Sequence, residues 1–166
     1  MYYSAIKPVD IANGPGVRVS LFVSGCPHRC KGCFNAETLA YDHGTPFTND
    51  TISDIITLMK PSWIRGLSLL GGEPLAPQNV GEVQKLVSAV KAAYPNKDIW
   101  CYTGYTWDAI KNLSIVPCLD VLVDGPFIEA EKDITLRFRG SRNQRIINVQ
   151  QSLQGESIVN WGEENN

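Results

Sequence analysis

Three cysteines stand close together in Val23-Ser24-Gly25-Cys26-Pro27-His28-Arg29-Cys30-Lys31-Gly32-Cys33-Phe34-Asn35. Their spacing is C-x3-C-x2-C, directly after an apolar, strand-like run. Thiolates this near in sequence can wrap one face of an inorganic centre. A four-iron cluster held by three thiolates leaves one iron open to a substrate or cofactor, which makes such a centre catalytic rather than a plain electron carrier. The same residues allow a structural zinc site, with His28, His43, Cys101 or Cys118 as the fourth ligand. A disulfide framework fits less well. Five cysteines is an odd count, and the first residues carry no charged-then-apolar signal.

A second group lies about forty residues further on, where Gly71-Gly72-Glu73-Pro74 follows the short apolar run Leu67-Ser68-Leu69-Leu70. Two glycines at a strand end let the backbone approach a ligand closely. Their carbonyls, with the Glu73 carboxylate, form a compact set of acceptors that suits an amine. Alone, G-G-E-P is an ordinary strand-to-helix turn. Paired with the cysteine motif, it resembles the signature of the radical S-adenosylmethionine superfamily.

Further elements follow the same order. They are Asn13-Gly14-Pro15-Gly16-Val17-Arg18, Pro46-Phe47-Thr48, Lys97-Asp98-Ile99-Trp100, Thr103-Gly104-Tyr105, Val123-Asp124-Gly125-Pro126-Phe127 and Arg139-Gly140-Ser141-Arg142-Asn143-Gln144. The ordered set is similar to the activases of anaerobic (class III) ribonucleotide reductases, over most of the chain. Two features depart from the wider superfamily. Gly32 holds the place of the usual aromatic before the last cysteine, with Phe34 after it, an arrangement common among the activases. Residues 150–166 form a polar, acidic extension outside the pattern.

Composition bounds the reading. At 166 residues, 43% hydrophobic and 19% charged, one globular domain is expected, with a radical S-adenosylmethionine domain over 1–150 and the polar extension over 151–166. A net charge of −2 argues against nucleic acid as a partner. No apolar run approaches the roughly 20 residues that span a bilayer. Unpaired thiols favour a reducing cytoplasm.

The elements that must position these residues alternate between strand and helix. The pattern predicts strands at 17–23, 66–70, 98–103 and 119–123. It predicts helices from Asn49 or Asp50 to about Met59, from Val80 to Tyr94, and from Trp107 to Leu113 behind a Thr106 cap. Pro61 and Pro95 stop the first two. Strands alternating with helices argue for parallel βαβ units, and the motif residues all fall just after strands, where α/β sites gather. A closed eight-fold barrel needs about 250 residues. The expected fold is therefore α/β, an incomplete, open (β/α) barrel of the radical S-adenosylmethionine type.

The resemblance implies a 4Fe-4S cluster on Cys26, Cys30 and Cys33, and S-adenosylmethionine on the open iron. Its amine would face Gly71, Gly72, Glu73 and Pro74, and Phe34 and Thr103 join the expected cofactor-binding residues. It implies a protein substrate, the large catalytic subunit of anaerobic ribonucleotide reductase, on which a glycyl radical is formed. A low-potential donor such as a flavodoxin would supply the electron. The rivals are an activase of another glycyl-radical enzyme, a small-molecule radical enzyme, and a zinc-stabilised interaction module without catalysis. Cys101 and Cys118 are expected to be buried structural thiols, and His28 a loop residue near the cluster. One arginine among Arg137, Arg139, Arg142 and Arg145 is expected to face the cofactor carboxylate or the partner.

Overall fold

Two-residue alternation gives each central strand two different faces. In β2 (Val17–Val23), Val19, Leu21 and Val23 enter the main core, while Arg18, Ser20 and Phe22 take the other side. The pattern recurs in Leu67 and Leu69 of β4 (Ile64–Gly71) and in Ile99 and Cys101 of β5 (Asp98–Tyr102). Leu122 of β6 (Val121–Asp124) continues it. These apolar residues are covered by α1 (Asn49–Leu58) and α2 (Val80–Ala93) through Ile55, Met59, Val83, Leu86, Val87 and Val90. The opposite face carries Ser68, Trp100 and Tyr102 and is left for the site.

The computed structural model describes residues 1–155 and 157–162. Strands β2, β4, β5 and β6 are parallel neighbours, as the alternation of elements requires. The edges are antiparallel. β1 (Tyr2–Asp10) pairs with β2, β3 (Thr45–Pro46) with β1, and β7 (Arg145–Asn148) with β6. The result is a mixed, open seven-stranded sheet in the order β3-β1-β2-β4-β5-β6-β7. The expectation of parallel βαβ units thus holds for the centre alone. Strand β1 escapes a sequence reading because Pro8 interrupts it. Pro8 falls where β1 no longer has β3 beside it and where the register against β2 shifts, the setting in which a strand tolerates proline.

The helix limits lie close to those expected. Thr48, rather than Asn49 or Asp50, caps α1, and its N–H donates to Thr51 Oγ1 at 3.1 Å. The short α3 (Trp107–Ile110) starts after Thr106, but its first N–H donates to Asp124 Oδ2 at 2.8 Å and not to a cap side chain. Position 150 lies inside α4 (Val149–Gln154). The segment beyond turns back to the sheet: Trp161 N–H donates to Ile146 O, and its ring meets Trp100 at 4.9 Å.

Arg18 is the largest departure from an apolar interior. It is fully buried. Its Nε donates to Ser68 Oγ at 2.7 Å, its Nη2 to Leu67 O at 2.9 Å, and its Nη1 lies 2.5 Å from Asp98 Oδ1. Burial pulls the guanidinium below its ordinary pKa, and Asp98 offsets part of this. Nη1 also reaches Pro15 O, while Ser68 Oγ donates to Asn13 O at 2.5 Å. The N-G-P-G-x-R motif is therefore a bracket: its arginine and Ser68 hold the preceding turn across the polar face. Replacing Arg18 with alanine should cost about 3 kcal/mol of stability, because several buried groups lose their partner at once. Chemical denaturation of the apo chain under reducing conditions measures this, and a loss below about 1 kcal/mol would contradict the bracket.

Candidate active site

The carboxyl ends of β2, β4 and β5 border a cavity of about 530 Å³, within the usual range for small-molecule sites. Cys26, Cys30 and Cys33 line it, together with Gly71, Gly72, Glu73, Thr103 and Gly104. All three thiols are unpaired and half-buried. Between the first two, Arg29 adopts φ +50°, a left-handed conformation that costs a non-glycine residue roughly 1–2 kcal/mol. The loop is bent sharply between the first two thiols. Burial pushes the Cys26 thiol up, and the N–H groups of His28 and Arg29 offset part of that rise.

Glu73 joins three motifs. It is 1% exposed. Oε1 accepts from Leu75 N–H at 3.0 Å and from Thr103 Oγ1 at 2.8 Å. Oε2 accepts from Gly104 N–H at 2.7 Å and contacts His28 Nε2 at 2.9 Å. Hydrogen bonds to an ionised group contribute about 1.5–3 kcal/mol each, so the buried carboxylate is well compensated. Both oxygens are engaged by the protein. The cysteine loop, the G-G-E-P turn and the T-G-Y turn thus meet at one side chain.

The glycines serve this meeting. A Cβ on Gly72 would stand 2.5 Å from Gly25 O, and one on Gly104 would stand 2.4 Å from His28 Cδ2. Gly72 lets the G-G-E-P turn touch the cysteine loop, where Glu73 N–H donates to Gly25 O at 2.8 Å. The same seam is held by Asn79, which the sequence did not single out. Its buried Nδ2 donates to Ser24 O at 2.9 Å and Glu73 O at 3.0 Å.

The far wall comes from the segment between β6 and β7. Gln144 Oε1 accepts from Gly140 N–H and Ser141 N–H, and its Nε2 donates to Gly125 O. Asn143 Nδ2 donates to Pro126 O at 2.8 Å. The R-G-S-x-N-Q motif therefore folds its own loop onto the V-D-G-x-F turn. Phe127 meets Phe34 with ring centroids 5.1 Å apart, bringing this wall to the cysteine loop.

Comparison with known proteins agrees with this geometry. The family described as "4Fe-4S single cluster domain" matches residues 12–147. The anaerobic ribonucleoside-triphosphate reductase-activating protein of Enterobacteria phage T4 is 46% identical over 148 residues, which cover 88% of this chain and 93% of the phage protein. Its namesake from Escherichia coli (strain K12) is 47% identical over 148 residues, 87% of this chain and 96% of that one. A Vibrio cholerae protein of the same name is 46% identical over 150 residues, 88% and 97% of the two chains. The chain belongs to the anaerobic ribonucleoside-triphosphate reductase-activating proteins.

Within this activase family chain, the residues expected at the site are brought together. Pro74 alone among them is buried behind the cavity rather than lining it. Phe34 lines the cavity but is 62% exposed. Of the four arginines, Arg139 alone lines the cavity, and its Nη1 donates to Gln144 O. Arg142 pairs with Asp133, Arg145 with Asp124, and Arg137 lies over Phe138. Cys101 is fully buried on the helix side of the sheet, where burial drives its thiol far up, while Cys118 is only half-buried. Among the described residues, no group of three or more His, Cys, Asp or Glu side chains is placed to hold a single metal ion.

The contact at Gly104 yields a test. Gly104→Ala should destabilise the apo chain by about 1–3 kcal/mol, as overpacking does. The loss should shrink in a His28→Ala background, since the obstructing ring is then gone. Denaturation of the four proteins in this cycle measures it, and equal losses in both backgrounds would contradict the contact.

Proposed function

We propose that the chain activates an anaerobic ribonucleotide reductase by forming a glycyl radical on its large catalytic subunit. The observation that carries this reading is the convergence of three unpaired thiols with the Gly71-Gly72 strand end on one cavity, in a chain of this family.

The residues present fit the implied groups. The donor set is all sulfur, as an iron–sulfur cluster requires. The three thiols line one cavity, and the matching family is described as a 4Fe-4S single cluster domain. The cavity extends past the cysteine loop to β4 and β5, leaving space for a nucleoside-sized partner. On this reading Cys26, Cys30 and Cys33 hold the cluster. When bound, the cluster and S-adenosylmethionine would supply the one-electron radical chemistry that removes hydrogen from the glycine.

The chain's own residues bind, orient and shield. Gly71 and Gly72 present backbone to the cofactor amine. Glu73, engaged by four protein donors, fixes that backbone against the cysteine loop. Thr103 acts in the same junction. Arg139 offers its guanidinium to the cofactor carboxylate, a pairing that suits its planar fork. Phe34 and Phe127 form an apolar part of the cavity wall, which a docked partner would have to cover to exclude water.

On this reading the open, mixed sheet serves as the incomplete (β/α) barrel expected of this chemistry. Its parallel strands carry the motifs at their carboxyl ends, and helices cover only the opposite face. The open side admits the reductase, and the docked partner completes the enclosure. Cys101 and Cys118 stand apart from the cluster loop, so electrons come from outside, from a low-potential donor such as a flavodoxin. Unpaired thiols suit the cytoplasm. Among the described residues, no helix is long and apolar enough to cross a membrane.

The test is anaerobic reconstitution followed by reaction with the reductase subunit and reductant. Wild type should hold about four irons per chain. Cys26→Ala, Cys30→Ala and Cys33→Ala should each lose the stable cluster, while Cys101→Ala keeps it. Paramagnetic resonance should show a persistent glycyl radical on the subunit, formed together with 5′-deoxyadenosine. Full cluster content in Cys30→Ala would refute the ligand set. Cleavage of the cofactor without a radical on a competent subunit would refute the substrate.

A further inference from the structure

We propose that His28 is a positioning residue of the cofactor site, acting through Glu73 to hold the cysteine loop against the strand ends that face S-adenosylmethionine. This rests on reading the cavity as the cluster and cofactor site. His28 sits between Cys26 and Cys30 and lines the same cavity, with its ring nitrogen engaged by Glu73. Its Nε2 lies 2.9 Å from Glu73 Oε2, and its ring packs edge-on to Tyr105 with centroids 4.5 Å apart. The same Oε2 accepts the Gly104 N–H, and an ionised carboxylate only accepts, so against it the imidazole Nε2 is the donor.

Three features are shaped to this one side chain. Glu73 is buried and has its other oxygen filled by Leu75 N–H and Thr103 Oγ1. Gly104 leaves space that a Cβ would take from the ring. Tyr105 packs against the ring in a T-shaped contact. His28 is the one hydrogen-bonding side chain that the cysteine loop sends to Glu73. It supplies the loop's side-chain tie to the T-G-Y turn, while backbone bonds and Asn79 tie that loop to the G-G-E-P turn. Without it, the cysteines keep their identity but lose a fixed distance to the backbone that meets the cofactor. Outer contacts of this kind typically change metal affinity or activity by about 10–100-fold.

Two substitutions separate the hydrogen bond from the ring. His28→Phe keeps a ring beside Tyr105 and removes the donor. His28→Gln loses the ring but places an amide N–H near the former Nε2. A third, Tyr105→Leu, removes the ring contact and leaves the bond. In the apo chain, amide hydrogen exchange at Gly104 should accelerate in His28→Phe and return towards wild type in His28→Gln.

In the anaerobically reconstituted protein, His28→Phe should still assemble the cluster. It should release iron to a chelator about tenfold faster and need about tenfold more S-adenosylmethionine to shift the reduced-cluster spectrum. His28→Gln should recover most of both, and Tyr105→Leu should stay near wild type. Wild-type behaviour of His28→Phe, or equal damage in His28→Gln or Tyr105→Leu, would overturn the proposal. If wild type itself takes up no cluster, the reading of the cavity falls, and Gly104 exchange still decides whether His28 anchors the loop.

Discussion

The buried Glu73 carboxylate is the constraint on which the site depends. A carboxylate out of water must find donors or become a large cost. Here the donors come from three separate segments: the cysteine loop through His28, its own turn through Leu75, and the end of β5 through Thr103 and Gly104. Satisfying one charge therefore fixes three loops relative to each other. The glycines at 72 and 104 follow from this, since each removes a Cβ that would push those loops apart. The carboxylate of the G-G-E-P motif works in the structure as a joint.

The sheet divides its labour between faces. One face is aliphatic and anchors the helices. The other buries Arg18 and Ser68, packs Trp100 against Phe138 and Trp161, and opens into the cavity at its carboxyl edge. The polar residues of that face hold the turn before β2, while the apolar residues hold the loop after β6. Both lie beside the cavity, so the packing that stabilises the sheet also shapes the site. The second half of the wall is shaped by side chains that close on their own backbone, above all Gln144 and Asn143.

Much of this was legible in the sequence where a short-range pattern decided it. The alternation at 17–23 and the stripe Val83, Leu86, Val87, Val90 gave β2 and α2 within a residue, and the cysteine spacing pointed to the cavity wall. The edges were not legible. β1 carries a proline, and β7 lies in an arginine-rich stretch whose charges mask its Ile146-Ile147 pair and meets β6 only across the long 125–144 segment. Within the site, residue types were readable but their partners were not. Glu73 looked available for a ligand, and only tertiary structure shows its oxygens taken. His28 looked incidental because its partner is 45 residues away. Asn79 gave no signal at all, since an asparagine before a helix reads as an ordinary cap.

The account rests on one claim above the others, that the cavity between the cysteine loop and the Gly71-Gly72 turn brings S-adenosylmethionine onto an iron of a three-cysteine cluster. The most direct measurement is hyperfine spectroscopy of the reduced, reconstituted protein with S-adenosylmethionine labelled with nitrogen-15 at its amino group. The account predicts a resolved coupling between that nitrogen and the cluster spin in wild type. A cluster that forms fully and binds the cofactor, yet shows no coupling to that nitrogen, would contradict it.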